Sequence, residues 1–260
     1  MSYVNLHPFG MNPSEADIAS AVLEVAKVYE GCPETTCCSK AECCNAGCPN
    51  MYYGEFMAMR RGAVDSMTKA QRLNLTIECV KRYLQDQRKK KPCVFLKEDK
   101  LCGIYEYRHL KCRLYGLIPP TLYDWVANSV AMEMGVERKD VPLCNQCQDV
   151  KIKPEFREKF PNNIILEESI RKMEKRMREI DRTFLGMKQE TQNEGMGFLT
   201  YHDWHLLYEF GPEWMEKLTQ LRLNLTDDKK EQFVNALKST LEAKAKAEYQ
   251  QSGEESKDGK

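Results

Sequence analysis

Cysteine placement is the feature that most limits how this 260-residue chain can fold. All twelve cysteines lie between Cys32 and Cys147, and five of them fall within residues 37–49, CCSKAECCNAGCP. A chain of this length buries enough apolar surface to fold without covalent cross-links. The clustered thiols are therefore predicted to do something other than hold the fold together. In a reducing compartment, clustered cysteines are typical of metal binding.

The sequence carries no sign of export or membrane insertion. Its first residues, MSYVNLHPFGMNPSEAD, lack a basic segment followed by an apolar run, and no stretch has eighteen consecutive apolar residues. The 39 basic and 39 acidic residues balance, so no net field draws the chain to nucleic acid or lipid. The basic run at 81–91, KRYLQDQRKKK, is interpreted as a solvated helix end. We expect a cytoplasmic protein that binds neither a membrane nor nucleic acid.

Apolar spacing predicts a mainly α fold with little strand content. A helix is expected to begin at Ser14, and others are expected at about 51–62, at 68–90 and from Thr121. Residues 92–118 contain short apolar runs broken by charged residues and glycine, which indicates a small hairpin or knuckle. This segment is the predicted place for any strand.

The chain divides into a cysteine-bearing part and a cysteine-free part. We predict a cysteine-rich metal-binding domain at 1–150, a helical hairpin or small bundle at 151–249, and a disordered tail at 250–260. A heptad-like apolar stripe opens the second part, at Leu166, Ile170, Met173, Met177, Ile180 and Phe184. Something must cover this stripe. We expect the C-terminal helices to fold onto the first domain, or to contact a protein partner or a second copy of the chain.

Ligand counting is the strongest argument from the residues. A thiolate-bound centre usually takes four cysteines, whether it holds zinc or an iron–sulfur cluster. Cys79 lies inside a predicted helix and is expected to pack in the core, and whether Cys32 is a ligand or a bystander stays open. The remaining cysteines exceed what one site needs. The predicted ligands are Cys37, Cys38, Cys43, Cys44, Cys48, Cys93, Cys102, Cys112, Cys144 and Cys147.

Two adjacent cysteine pairs, Cys37-Cys38 and Cys43-Cys44, bear on the identity of the metal. Neighbouring side chains on extended backbone point to opposite sides. A polynuclear iron–sulfur cluster accepts such divergent ligands more readily than a single zinc ion, so a 4Fe-4S cluster is predicted, with zinc as the alternative. Cys37 and Cys38 could instead be bystanders, and this alternative stays open.

Two histidines in the motif YHDWH form a second possible site. His202 and His205 are three residues apart and could share a helical face with Asp203 beside them. No third ligand is evident in the neighbouring sequence, and the surrounding apolar residues favour a partly buried helix instead.

An ordered series of short motifs resembles a known family. The residues are Cys43-Cys44, Pro49, Glu55-Phe56, the string Pro92-Cys93-Val94-Phe95-Leu96, the string Cys102-Gly103-Ile104-Tyr105-Glu106, and Arg108 with Cys112-Arg113. They resemble the YkgJ-like cysteine-cluster family, whose members are described as zinc- or iron-chelating, over about residues 32–147. Where the family has proline after the arginine, this chain has His109. The flagellin lysine methylase is similar in its cysteine pattern.

Arg108 and Arg113 flank Cys112 and are predicted to lie beside the cofactor. Thiolate clusters carry negative charge and gain from nearby fixed cations and hydrogen-bond donors. The leading hypothesis is an iron–sulfur protein that acts in electron transfer or cluster-dependent chemistry within a complex. A structural zinc-binding interaction module is the first alternative. A cluster-dependent protein methyltransferase is the second, by resemblance to the methylase, and whether the chain is an enzyme stays open.

Overall fold

The computed structural model describes residues 14–36, 42–45, 48–85, 92–119, 121–122, 128, 131–132, 137, 151–160, 164–184 and 199–255. Over these residues the protein is mainly helical, which confirms the mainly α part of the predicted fold class. The α-helices are α1 (Glu15–Tyr29), α2 (Glu42–Asn45), α3 (Tyr53–Met59), α4 (Lys69–Leu84), α5 (Leu110–Arg113), α6 (Glu167–Phe184), α7 (Tyr201–Phe210), α8 (Pro212–Asn224) and α9 (Asp227–Glu255). A π-helix at Arg60–Val64 continues α3, and 3₁₀ turns occupy Tyr105–Tyr107 and Pro154–Phe156.

Local sequence signals set several helix ends. Capping boxes, in which two side chains satisfy the first free backbone N–H groups of a helix, begin three of them. They pair Ser14 with Asp17 at α1, Thr68 with Gln71 at α4, and Thr200 with Asp203 at α7. Between α7 and α8, Gly211 takes a φ of 81°, a conformation that favours glycine, and Pro212 opens α8. The break between α7 and α8 therefore follows from these two adjacent residues.

Strand content lies somewhere other than predicted. The strands β1 (Thr35–Thr36) and β2 (Lys151–Ile152) form a two-stranded antiparallel sheet. The segment expected to form a hairpin contributes a single bridge between Leu96 and Cys102, with turns on either side. The sheet was missed because its strands are two residues long and far apart in sequence, so neither shows a period-2 pattern.

Two hydrophobic cores share helix α3. The first gathers α3, α4, α7, α8 and α9 around Phe56 and Trp204. The second gathers α1, α5 and α6, where four of the heptad positions are buried, namely Ile170, Met173, Met177 and Ile180. Leu166 precedes α6 and is 73% exposed. Helices from both ends of the chain therefore complete the same cores, since α6 packs on α1 and α9 packs on α4.

The C-terminal end of the chain is more helical than predicted. Helix α9 continues to Glu255, within the segment expected to be a disordered tail. Its last turns are rich in alanine, lysine, glutamate and glutamine, which have high helix propensity. Residues 256–260, and most of the helix expected from Thr121, lie outside the described residues. Across the described ranges, none of the helices combines the length and the apolar character needed to cross a bilayer.

A carboxylate from the C-terminal part caps helix α3. Asp181 of α6 is buried and accepts hydrogen bonds from the backbone N–H groups of Tyr53 and Gly54, each at 2.8 Å. These donors belong to the first turn of α3 and would otherwise lack an intrahelical partner. Burial raises the pKa of Asp181 from 3.8 to about 7, in spite of the two hydrogen bonds. Asp181 thus joins α6 to the segment that follows Cys48.

Stability is expected to fall with rising pH through Asp181. The folded protein binds more protons than the unfolded chain between pH 3.8 and about 7, so each pH unit there lowers the free energy of unfolding. The slope reaches about 1.4 kcal/mol per unit. Urea unfolding measures the free energy of unfolding of both proteins. The wild-type value minus the Asp181→Asn value should decrease from pH 4 to pH 7. Taking the difference cancels the other titrating groups, and a difference that grew with pH would contradict the assignment.

Candidate metal centre

Three short chain segments bring six cysteines together beside the first core. Helix α2 and the residue Cys48 form the first segment, the turns from Pro92 to Cys102 form the second, and α5 forms the third. The backbone N–H of Cys93 donates to the carbonyl of Cys44 at 2.6 Å, which fixes the first two segments to each other. The six cysteines are Cys43, Cys44, Cys48, Cys93, Cys102 and Cys112, and we call them the thiol cluster. All six are buried or partly buried, and none forms a disulfide.

Thiols within the thiol cluster donate hydrogen bonds to neighbouring thiolates. The Sγ atoms of Cys43 and Cys44 are 3.9 Å apart. The Cys44 thiol stabilises the thiolates of both Cys43 and Cys102, and this lowers the pKa of Cys43 to about 7 and that of Cys102 to about 6. The Cys48 thiol likewise lowers the pKa of Cys93. Each easily ionised sulfur thus lies beside one that keeps its proton.

Backbone N–H groups also point at the sulfurs. The N–H of Phe95 stabilises the Cys93 thiolate and that of Ile104 stabilises the Cys102 thiolate, in each case from two residues further along the chain. The backbone of Tyr201, at the start of α7, does the same for Cys48. Such donors favour the charged form of a sulfur. The positions of the Phe95 and Ile104 N–H groups are set by the turns after Cys93 and Cys102. A hydrogen bond from the N–H of Gly103 to the carbonyl of Phe95, at 2.7 Å, joins these two turns.

Cys112 and His109 form a further contact at the edge of the thiol cluster. His109 precedes α5, and its Nε2 lies 3.2 Å from the Sγ of Cys112. Burial, and the neighbouring cations led by Lys111, lower the pKa of His109 to about 3, so the imidazole is neutral. Burial raises the pKa of Cys112, and the other thiolates, Cys93 first, raise it further. The sequence singled out His109 only as a departure from a family pattern. Its three-residue spacing from Cys112 was the available signal.

The two predicted cofactor-flanking arginines have different surroundings. Arg108 favours the thiolates of Cys43 and Cys102 electrostatically, while its guanidinium stacks on Tyr105 at 3.5 Å from the ring centroid. Arg113 instead donates to the backbone carbonyls of Glu106 and Arg108, at 2.6 and 2.8 Å. Arg108 therefore supplies positive charge to the thiol cluster, and Arg113 holds the loop before α5. Contact of either arginine with a cofactor stays a prediction.

Glu55 hydrogen-bonds to the third segment and stabilises its position. Its buried carboxylate accepts hydrogen bonds from the backbone N–H of Leu110 at 2.6 Å, the N–H of Tyr52 at 3.1 Å and the hydroxyl of Tyr29 at 3.0 Å. Burial raises the pKa of Glu55. The carboxylate therefore joins α1, α3 and α5 in one network. One sequence signal marks this position: Glu55 is the only charged residue within MYYGEFMAM at 51–59.

Glu55→Ala is expected to lower the free energy of unfolding by about 2–3 kcal/mol, because buried donors lose their acceptor. Urea denaturation followed by far-UV circular dichroism measures this. Glu30→Ala is the matched control, since Glu30 is an exposed glutamate just past α1 and should change stability by less than about 0.5 kcal/mol. Equal effects of the two substitutions would show that the network does not stabilise the fold.

In this conformation the side chains of the thiol cluster do not form a complete metal site. In the described ranges, no three histidine, cysteine, aspartate or glutamate side chains are placed so that they could hold a metal ion. The donor set itself fits a thiophilic metal, because the six side chains are all thiols from neighbouring segments and metal binding displaces thiol protons. Loading a metal would require the sulfurs to turn toward one another by side-chain rotation.

The other cysteines and histidines fall into separate groups. Cys79 is fully buried in the first core, which confirms its predicted packing role. Cys32 is buried in the second core, where its Sγ lies 3.6 Å from the sulfur of Met173. Cys37, Cys38, Cys144 and Cys147 lie outside the described residues, so their predicted roles as ligands stay predictions.

His202 and His205 do not form a metal site with each other. His205 is buried in the first core, where Nε2 lies 2.9 Å from the Thr76 hydroxyl and Nδ1 lies 3.4 Å from the Tyr201 hydroxyl. Burial lowers the pKa of His205 to about 3. Both ring nitrogens of His205 are thus engaged in the core, and the partly buried helix predicted as the alternative is the arrangement found.

Comparison with known proteins returns no relative: no family model, no curated protein and no solved structure matches this chain.

Proposed function

We propose that this protein binds an iron–sulfur cluster, as a 4Fe-4S centre, and acts in electron transfer or cluster-dependent chemistry within a larger assembly. The observation that carries the proposal is the thiol cluster: three distant segments deliver six cysteines to one place, and backbone N–H groups point at their sulfurs. Iron–sulfur clusters are held by cysteine thiolates, and hydrogen bonds to those sulfurs tune them. When bound, such a cluster supplies one-electron transfer.

The residues of this chain would prepare the thiol cluster for metal. Metal binds the thiolate and not the thiol, so the lowered pKa values of Cys43, Cys93 and Cys102 favour loading near neutral pH. Arg108 offsets part of the negative charge that gathers there. Six thiols exceed the four that one zinc ion or one 4Fe-4S cluster takes, so the ligands of one centre would be four of this set or would be shared with a second centre. Cys144 and Cys147 are predicted to complete the ligand set.

Exposed apolar side chains beside the thiol cluster support action within a complex. Leu101 is 37% exposed and Tyr107 is 45% exposed, and they adjoin Cys102 and Arg108 in sequence. An apolar surface next to a redox centre suits docking of a protein that exchanges electrons with it. Contact with a partner or a second copy through the C-terminal helices is a separate prediction.

A structural zinc module is the second candidate, because one distance favours it. Two sulfurs on a tetrahedral zinc ion lie about 3.8 Å apart, given a Zn–S bond of about 2.3 Å. The sulfurs of Cys43 and Cys44 are 3.9 Å apart. In this case the metal would fasten the three segments to one another and would carry out no redox chemistry.

Purification without oxygen tests both candidates. An iron–sulfur protein should be brown, with broad visible absorption and matching amounts of iron and acid-labile sulfide. Colourless protein with stoichiometric zinc would replace the first candidate with the second. Protein that retains neither metal, and takes up neither on reconstitution under reducing conditions, would overturn both.

A further inference from the structure

His109 is held where its imidazole can act on the thiol cluster through one sulfur. The side chain is 2% exposed, and its Nε2 lies 3.2 Å from the Sγ of Cys112. Glu55 fixes this geometry, since its carboxylate accepts from the N–H of Leu110, the residue between His109 and the rest of α5. The backbone that carries His109 into α5 is therefore held in place, with Cys112 three residues further along the same helix.

The hydrogen-bond partners of His109 decide which ring nitrogen carries the proton. Among the described residues, the buried Nδ1 of His109 has no hydrogen-bond partner. Within the described part of the chain, a proton on Nδ1 would be a buried N–H donor without an acceptor, and leaving such a donor unsatisfied costs about 1–3 kcal/mol. A proton on Nε2 can instead be donated to the sulfur, and only a lone pair of Nδ1 is left without a partner. Orphaned buried N–H groups are rarer than under-satisfied acceptors, so the second arrangement is favoured.

The surroundings of Nδ1 also indicate whether Nε2 of His109 donates a hydrogen bond to sulfur or binds a metal directly. If Nε2 bound a metal, the proton would move to Nδ1, and histidines that bind metal almost always donate that second N–H to a protein group or water. The described residues offer no acceptor to Nδ1. The geometry thus suits donation to sulfur better than direct coordination.

We propose that His109 is fixed as the Nε2–H tautomer and donates a hydrogen bond to the sulfur of Cys112, so that it tunes the redox centre as a positioning residue. The inference rests on the proposed iron–sulfur function for its redox consequence. The Nε2–H donor stabilises negative charge on sulfur, and the reduced centre carries more of that charge than the oxidised one. His109 therefore raises the reduction potential of the centre.

The redox test compares two substitutions at one position. His109→Leu removes the donor, while His109→Gln keeps a side-chain N–H. Each protein is reconstituted without oxygen and checked for equal iron, sulfide and far-UV circular dichroism, then titrated potentiometrically. We expect a lower midpoint potential in His109→Leu than in the wild type, with His109→Gln in between. Loaded His109→Leu protein with the wild-type potential would overturn the proposal.

The tautomer is tested on the wild-type protein alone, so the result does not depend on whether a variant folds. In ¹⁵N-histidine-labelled, zinc-loaded protein, long-range ¹H–¹⁵N spectra should show His109 with a protonated Nε2 and an unprotonated Nδ1. A proton on Nδ1 would overturn the proposal and indicate a metal ligand. If the protein retains neither iron nor zinc, the proposed iron–sulfur function fails, and the same spectra of the reduced metal-free protein still decide the tautomer.

Discussion

The Trp204→Ala variant is expected to lose about 3–5 kcal/mol of unfolding free energy, the usual cost of deleting a large buried aromatic side chain. Trp204 is fully buried in the first core, with its ring centroid 4.8 Å from that of Tyr53 and 6.4 Å from that of Phe56. Its Nε1 also donates to the carbonyl of Met51 at 3.1 Å, three residues after Cys48. Truncation would leave a cavity between α3 and α7 and would free the segment that leads into the thiol cluster.

Comparing Trp204→Phe with Trp204→Ala separates the contribution of packing from that of the hydrogen bond. Trp204→Phe keeps most of the ring volume but loses the N–H, so it should cost less than Trp204→Ala. Trp214→Ala is the matched control, because Trp214 is only partly buried and stacks on Phe210 at 4.4 Å between centroids. Urea denaturation followed by far-UV circular dichroism suits all three, since fluorescence changes when a tryptophan is removed. A loss below about 1 kcal/mol in Trp204→Ala would show that the first core does not depend on this residue.

Cys93→Ser and Cys102→Ser are each expected to weaken metal binding by at least about 10–100-fold, the range found when even an indirect contact to a metal is lost. Both sulfurs accept backbone N–H groups and have lowered pKa values, so they are the thiolates best prepared to bind metal. Serine keeps the size of the side chain but loses the soft sulfur donor. Metal analysis after anaerobic reconstitution, with a competing chelator, measures the change.

The chain contains its own control cysteines. Cys79→Ala and Cys32→Ala remove thiols that are buried in the two cores and are not among the predicted ligands. Both variants should keep the wild-type metal content once folded, although each leaves a small cavity. If Cys79→Ala lost metal as fully as Cys102→Ser, the distinction between the thiol cluster and the core cysteines would be wrong.

Much of the helical structure could be predicted because its signals are local. Ser14 and Thr68 lie three residues before the partners of their capping boxes, and the Gly211-Pro212 step ends one helix and begins the next within two residues. The apolar spacing of α6 likewise identified a buried stripe. What covers that stripe could not be predicted, because periodicity shows that a face is apolar and not which helix meets it.

The candidate site was predicted as a composition and not as an arrangement. Six of the predicted ligands do lie together, but the pairing of Cys44 with Cys102 and of Cys48 with Cys93 joins positions more than forty residues apart. The sequence contains no local signal for such pairings, because they depend on how the turns after Cys93 pack against α2 and α7.

The sequence by itself determined the longer helices, the break at Gly211 and the concentration of thiols in the first part of the chain, since each depends on residues within a few positions of one another. Only the tertiary structure decided the long-range contacts. Asp181 caps α3 from 128 residues away, and Glu55 supports α5 from 55 residues away. A buried donor is satisfied by whichever acceptor packing brings to it. That choice follows from the whole fold, and so does the position of His109 beside Cys112.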